Sequence, residues 1–325
     1  MTELRRQRTD LANEPVVPLQ TDAASGPEEV LPDTTTPGAR SLGSDAWREL
    51  RGRPMFWISL ALILLFLVMA IFPELFTSKD PAYADLSKAR EKPSADAWFG
   101  RDTQGYDVYA RTIYGARASI SVGILATIFS MVLGVVIGIV SGYRGGWMDS
   151  VLGRIGEIFL AIPLLLGAII FLVSLPDFFN DNYFLIVLKV VLALVILGWP
   201  SLARLTRSSV IQVKPNDYVQ AARALGASPM RIVRSHVLPN SLAPVIVVAT
   251  INLGAFIAAE ATLSFLGIGL QPPAISWGID ISAALVGLRT TPHMLFFPSV
   301  FLSLAVLAFI MLGDVVRDAL DPKNR

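Results

Sequence analysis

From Met55 onward the chain alternates long apolar runs with short polar breaks, whereas the stretch before Met55 shows no such pattern. Six runs come close to the roughly 20 residues needed to cross a hydrocarbon core. They are Met55 to Phe72, Ser119 to Gly142, Ile158 to Leu175, Tyr183 to Leu202, Leu242 to about Leu266, and Met294 to Leu312. Any one of them can be read as a buried core helix. Six in a chain of 325 residues predict an all-α membrane protein with six transmembrane helices. Lys189 interrupts the fourth run close to its end, where a long side chain can snorkel to the interface. In the second run Gly134, Gly138 and Gly142 recur at every fourth position, a spacing that lets helices approach closely in lipid. Ser276 to His293 is apolar but broken by Gly278, Asp280, Gly287 and Arg289. It is too short to cross and return, so it predicts a re-entrant or interfacial helix on the outer side.

Between the fourth and fifth runs lies a polar, basic stretch, Asp217 to Asn240, reading DYVQAARALGASPMRIVRSHVLPN. Tyr218, Ala221, Ala222 and Leu225 recur at i, i+3, i+4 and i+7 and share one face of a short helix. Asp217 stands at the N-cap with Gln220 three residues on, a capping-box spacing, and Gly226 supplies the left-handed stop. Ser228 and Pro229 open a second short helix with Met230, Val233 and Val237 as its stripe, closed by Pro239. Arg223, Arg231 and Arg234 surround the pair. An apolar-faced helix ringed by arginines on a membrane protein's aqueous side suits a partner's groove, and equally a loop folded onto itself.

Charge orients the spans. Arg48, Arg51 and Arg53 precede the first, Arg144 and Arg154 flank the loop after the second, and the stretch around Tyr218 is the most basic loop, while Asp177 to Asn182 has no Lys or Arg. The positive-inside rule then puts both termini and the Tyr218 loop in the cytoplasm. The outer loop, Pro73 to about Ala118, carries mixed charge and does not vote. Composition agrees: 53% hydrophobic, 16% charged, mean hydropathy +0.57. The segments are therefore a disordered cytoplasmic tail (1–53), a first span with an outer loop (54–118), the main transmembrane domain (119–319) with its polar loop at 205–240, and a short cytoplasmic end (320–325). The tail is rich in Pro, Thr, Asp and Glu and has too little apolar surface to offset the entropy of ordering it.

Several chemistries are excluded. A net charge of +1 with scattered Lys and Arg gives no face for nucleic acid. Zero cysteines exclude disulfides and thiolate metal sites. No GxxxxGK[ST] loop is present to cradle ATP phosphates. An intramembrane protease needs Ser with His, or paired Asp, inside the spans. Both histidines, His236 and His293, lie in a loop or at an edge, and the six runs hold no Asp. A non-transporting scaffold or receptor is the remaining rival. Glu260 is the only carboxylate in the fifth run, about 27 Å along it at ~1.5 Å per residue, and an ionisable group there is a candidate for the transport pathway.

YVQAARALGAS followed by HVLPN resembles the EAA loop of binding-protein-dependent ABC importer permeases, with Gln220 where the family usually has Glu. WFGRDTQGYDV is similar to the FGTDxxGRDV segment of the dipeptide, oligopeptide and nickel permeases, with Arg101 for Thr and Tyr106 for Arg. GGWMDSVLGRIGEIFLAIP, EATLSFLGIGLQPPAISWG and GDVVRDALDPKNR continue the likeness in order, with Ile310 where Asn is usual, so that it runs from Trp98 to Pro322. The resemblance implies a type I importer permease fold and a C-type subunit of a peptide importer. A nickel chelate or glutathione is the alternative cargo. It also implies Asp217, Tyr218, Gln220, Ala221, Ala222, Arg223, Leu225 and Gly226 as the ATPase-coupling helix, with no cofactor in this chain and ATP and Mg in two partner ATPases. A second permease subunit and an extracytoplasmic solute-binding protein complete the implied assembly.

Overall fold

The structure, a computed structural model, describes residues 42–175 and 182–320. Extended pairing among them is confined to two isolated bridges in the loop between the first two apolar runs, Ala84 with Tyr106 and Arg101 with Asp107. Helix α1 (Leu42–Gly52) corrects the expectation that the chain is unstructured up to Arg53. Leu42, Ala46 and Leu50 fall at i, i+4 and i+8, an amphipathic pattern hidden in a polar context. The rest of the tail, like the Asp177–Asp181 part of the outer connection and the last five residues, lies outside the described residues. α2 (Pro54–Ile71) begins with Pro at its first turn, where a missing N–H costs nothing. Arg53, at the α1–α2 joint, donates to Glu49 at 2.7 Å and to Asp318, far along the chain, at 2.6 Å.

α3 (Val108–Arg144) is longer than its apolar run because it absorbs the amphipathic outer segment ahead of it, and Asp107 caps it by accepting from the Ala110 N–H. The third apolar run is not one straight span. α4 (Gly146–Ala161) and α5 (Leu164–Ser174) meet at 91°. Pro163 causes the break: it offers no N–H to the preceding turn and drives Ile162 into extended backbone (φ −86°, ψ 121°). α6 (Tyr183–Val213) follows, then α7 (Asp217–Ala224).

The second short helix corrects a sequence expectation. α8 (Pro229–Ile232), a π turn (Val233–Val237) and α9 (Leu238–Phe265) form one continuous helix from Pro229 to Phe265, and Pro239 does not end it. In the π turn the Leu238 N–H reaches back to the Val233 carbonyl, and this wider turn immediately precedes the proline. α10 (Trp277–Ala284) is a short helix within the broken apolar stretch Ser276 to His293, and α11 (His293–Leu320) closes the bundle. Among the described residues five helices are long and apolar enough to cross a membrane, or six with the bent α4–α5 pair as one span.

α3 and α6 pack along the glycine stripe. A Cβ on Gly134 would lie 2.7 Å from Leu202 Cβ, one on Gly138 2.5 Å from Thr206 Cβ, and one on Gly142 3.0 Å from the Arg207 carbonyl. A Cβ at Gly134 or Gly138 would force a shift, and one at Gly142 would be tight. Phe66, Ile120, Ile257, Trp277 and Phe309 form one core cluster, and Val122, Leu194, Phe256 and Leu263 another. Outside these clusters, Phe129, Val132 and Val136 on α3 are exposed, an apolar exterior suited to lipid or to another membrane subunit.

Candidate functional site

The polar loop is rooted by four fully or nearly fully buried side chains: Val210 at the end of α6, Val219 on α7, Ile232 on α8 and Val237 in the π turn. Ala222 and Ala227 pack against the same cluster. Val219 and Ala222, three apart, therefore make the inward face of α7. This corrects the sequence reading, which placed Ala222 with Tyr218, Ala221 and Leu225 on one face. Tyr218 and Ala221 are exposed, and Leu225 is 88% exposed, so nothing among the described residues covers that row. Val219 was missed because the four-residue stripe used up the helical periodicity. Its signal was the spacing to Ala222 together with the Val210 and Val213 that precede the loop.

The caps of α7 divide. Asn216 rather than Asp217 is the N-cap, and no side chain caps the helix. The capping box therefore does not form: Gln220 turns back to donate to the Lys214 carbonyl at 3.3 Å, and Arg223 donates to the Gln220 side-chain oxygen at 3.4 Å. Asp217 sits in the first turn, where its charge meets the positive end of the helix. At the other end Gly226 has φ +79°, as its place in the sequence predicts. The Ala227 N–H donates to the Ala222 carbonyl at 3.1 Å and the Gly226 N–H to Arg223 at 3.0 Å, the paired bonds of a Schellman stop. Ser228 then caps α8 by accepting from the Arg231 N–H.

Arg223, Arg231 and Arg234 are all exposed around the outward row. Lys214 donates to the Tyr143 carbonyl at 2.8 Å and lies over the Tyr143 ring, binding the loop to the end of α3. The helix thus presents an apolar row with a cationic rim that no described residue covers.

Glu260 lies elsewhere. It is fully buried on α9, and its Oε1 accepts from the Ser264 hydroxyl at 2.7 Å, while Ser264 in turn accepts from the Leu270 N–H at 2.9 Å. Ser119 on α3 and Ser276 before α10 flank the carboxyl, yet Oε2 and the Ser119 hydroxyl find no partner of hydrogen-bond geometry among the described residues. The group thus stands at the junction of α3, α9 and the segment entering α10.

Residues 134–325 match the family described as binding-protein-dependent transport system inner membrane component. The chain belongs to this family. Residues 41–93 match the N-terminal transmembrane domain of oligopeptide transport permease C, a stretch that includes α1 and α2. The oligopeptide transport system permease protein OppC of Bacillus subtilis is 38% identical over 285 residues, 88% of this chain and 91% of that protein. The dipeptide permease DppC of the same organism is 38% identical over 286 residues, 88% and 87% of the two chains. The glutathione transport system permease protein GsiD of Escherichia coli is 36% identical over 278 residues, 85% and 89%. Among solved structures, a chain of the inward-facing MetNI methionine ABC transporter has a TM-score of 0.51 at 22% identity, covering 64% of this chain and 96% of its own length. At that identity the likeness concerns the fold, which is that of a MetI-like importer permease. This binding-protein-dependent permease is a transport component and not an enzyme.

Proposed function

We propose that this permease forms half of the translocation pathway of an ATP-driven importer of di- or oligopeptides and that α7 docks it onto an ATPase subunit. The observation that carries the docking role is the uncovered row of Tyr218, Ala221 and Leu225 on a helix whose other face is rooted by Val219. The names of the OppC and DppC relatives support a peptide cargo. ATP and Mg belong to two partner ATPases, a second permease completes the pathway, and an extracytoplasmic binding protein delivers the solute. Closure of the ATPases on ATP pushes α7. Because α7 is rooted on the end of α6 and on the helix running into α9, that push tilts these spans.

The arginines around α7 support a cytoplasmic position for it. With no native cysteine, single-Cys variants test it: an impermeant maleimide on intact cells labels position 180 and spares position 216. The function is tested in proteoliposomes carrying the whole complex. Uptake of labelled peptide requires ATP and the binding protein, and Leu225→Asp abolishes ATPase stimulation while the protein remains folded. Normal stimulation in Leu225→Asp overturns the docking role. Stimulated hydrolysis without uptake of any solute returns the chain to the scaffold reading.

A further inference from the structure

A cavity of about 310 Å³ lies on the outer-loop side of the molecule, where two stretches without an assigned role meet: the turn 102–106 and the segment from Pro272 into α10. Pro272, Ile279 and Met294 supply apolar wall, while Asp102, Arg111 and Asp280 supply charge. Arg111 donates from Nε at 2.8 Å and from a terminal nitrogen at 2.6 Å, both to Oδ1 of Asp280. The Tyr106 ring covers the guanidinium at 4.8 Å. Asp280 Oδ2 is left enclosed with no hydrogen-bond partner among the described residues. Asp102 uses Oδ1 to accept the Gln104 and Tyr106 N–H groups, each at 2.9 Å, and stands close enough to act electrostatically on both members of the pair.

Two carboxylates and one guanidinium thus line the cavity, a surplus of one negative charge, and one oxygen of Asp280 is enclosed beside it without a donor. An enclosed acceptor without a donor is a cost that a ligand can remove. A primary ammonium, with three N–H donors on a small apolar body, fits both the charge and the walls. The volume sits at the lower end of the roughly 300–1,000 Å³ range of ligand pockets, enough for an end residue and not for an extended peptide. Among the described residues no group of three or more His, Cys, Asp or Glu side chains is placed to hold a bare metal ion.

We propose that this cavity receives the amino-terminal ammonium of an incoming peptide, held by Asp280 and Asp102. The assignment rests on the peptide-import reading. It is tested by titrating the purified complex, without its binding protein, with trialanine and with N-acetyl-trialanine. Trialanine binds the unaltered complex, and acetylation or Asp280→Asn weakens binding at least about tenfold, the loss of one charge-assisted hydrogen bond. Since Asp280→Asn also disturbs Arg111 and can loosen α10, Asp102→Asn is the second variant; it leaves that pair intact and weakens trialanine in the same direction. Equal binding of the two peptides, no binding of trialanine, or unaltered binding in both variants overturns the site. ATP-driven uptake of trialanine is measured in parallel. Where uptake persists and binding does not respond to the variants, the site alone is wrong; where no peptide is taken up, the import reading and the site fall together.

Discussion

Arg207 on α6 grips both oxygens of Asp149 on α4, at 2.5 and 2.6 Å, across 58 residues of sequence. The Ser141 hydroxyl on α3 also donates to Asp149. One carboxylate therefore ties three helices together beside the bent α4–α5 pair. With the arginine side chain 41% exposed and the aspartate 22%, solvent screens the pair, and its coupling is about 1 kcal/mol rather than the larger value of a buried one. A double-mutant cycle of Asp149→Asn and Arg207→Ala, read by thermal unfolding in detergent, should give a coupling of that size. Additive effects would mean that the three helices hold together without the ion pair.

The α3–α6 contact makes a sharper prediction. A methyl on Gly138 would lie 2.5 Å from Thr206 Cβ and 2.6 Å from the Ala203 carbonyl, and backbone cannot yield as a flexible side-chain tip does. Gly138→Ala should cost ~1–3 kcal/mol and Gly138→Leu should prevent a folded bundle, as judged by monodispersity after detergent extraction. Gly153, with nothing within 4 Å of its would-be Cβ, is the control and should accept Ala with no such loss.

Two substitutions in the loop act by different routes. No atom lies within 4 Å of a Cβ added at Gly226, so Gly226→Val acts through backbone strain alone, about 1–2 kcal/mol. It should leave the spans folded and reduce ATPase stimulation by changing the angle between α7 and α8. Ala222→Trp drives a large ring into the Val210–Val219–Ile232–Val237 cluster and should lower the melting temperature as well. Loss of stimulation in Ala222→Trp at unaltered stability would place Ala222 outward after all.

For Glu260 the geometry supports an internal tie. Glu260→Gln keeps an oxygen for the Ser264 hydroxyl and should preserve assembly and uptake kinetics. Glu260→Leu strands Ser264 and its neighbours and should cost ~1–3 kcal/mol. A changed uptake KM in Glu260→Gln at normal thermal stability would give the carboxyl a part in the pathway instead.

Length and hydropathy alone determined the helical runs, because a bilayer demands about 20 apolar residues and backbone bonding satisfied within the segment. The glycine stripe and the Gly226 stop were equally legible, since each rests on a local property: the missing Cβ or the left-handed backbone it permits. Motif likeness carried the family. What depends on neighbours distant in sequence was not legible. The face of α7 that is buried was decided by Val210, Ile232 and Val237, which no periodicity within α7 can report. Pro239 reads as a helix end, yet a π turn before it carries the helix on into α9, whereas Pro163, with no such turn, bends its span by 91°. The pairing of Arg111 with Asp280 joins residues 169 apart and leaves one carboxylate oxygen unspent, a fact of tertiary packing alone. Periodicity reports a helix's own faces; which face is covered is set by the energy of contacts that only the folded chain brings together.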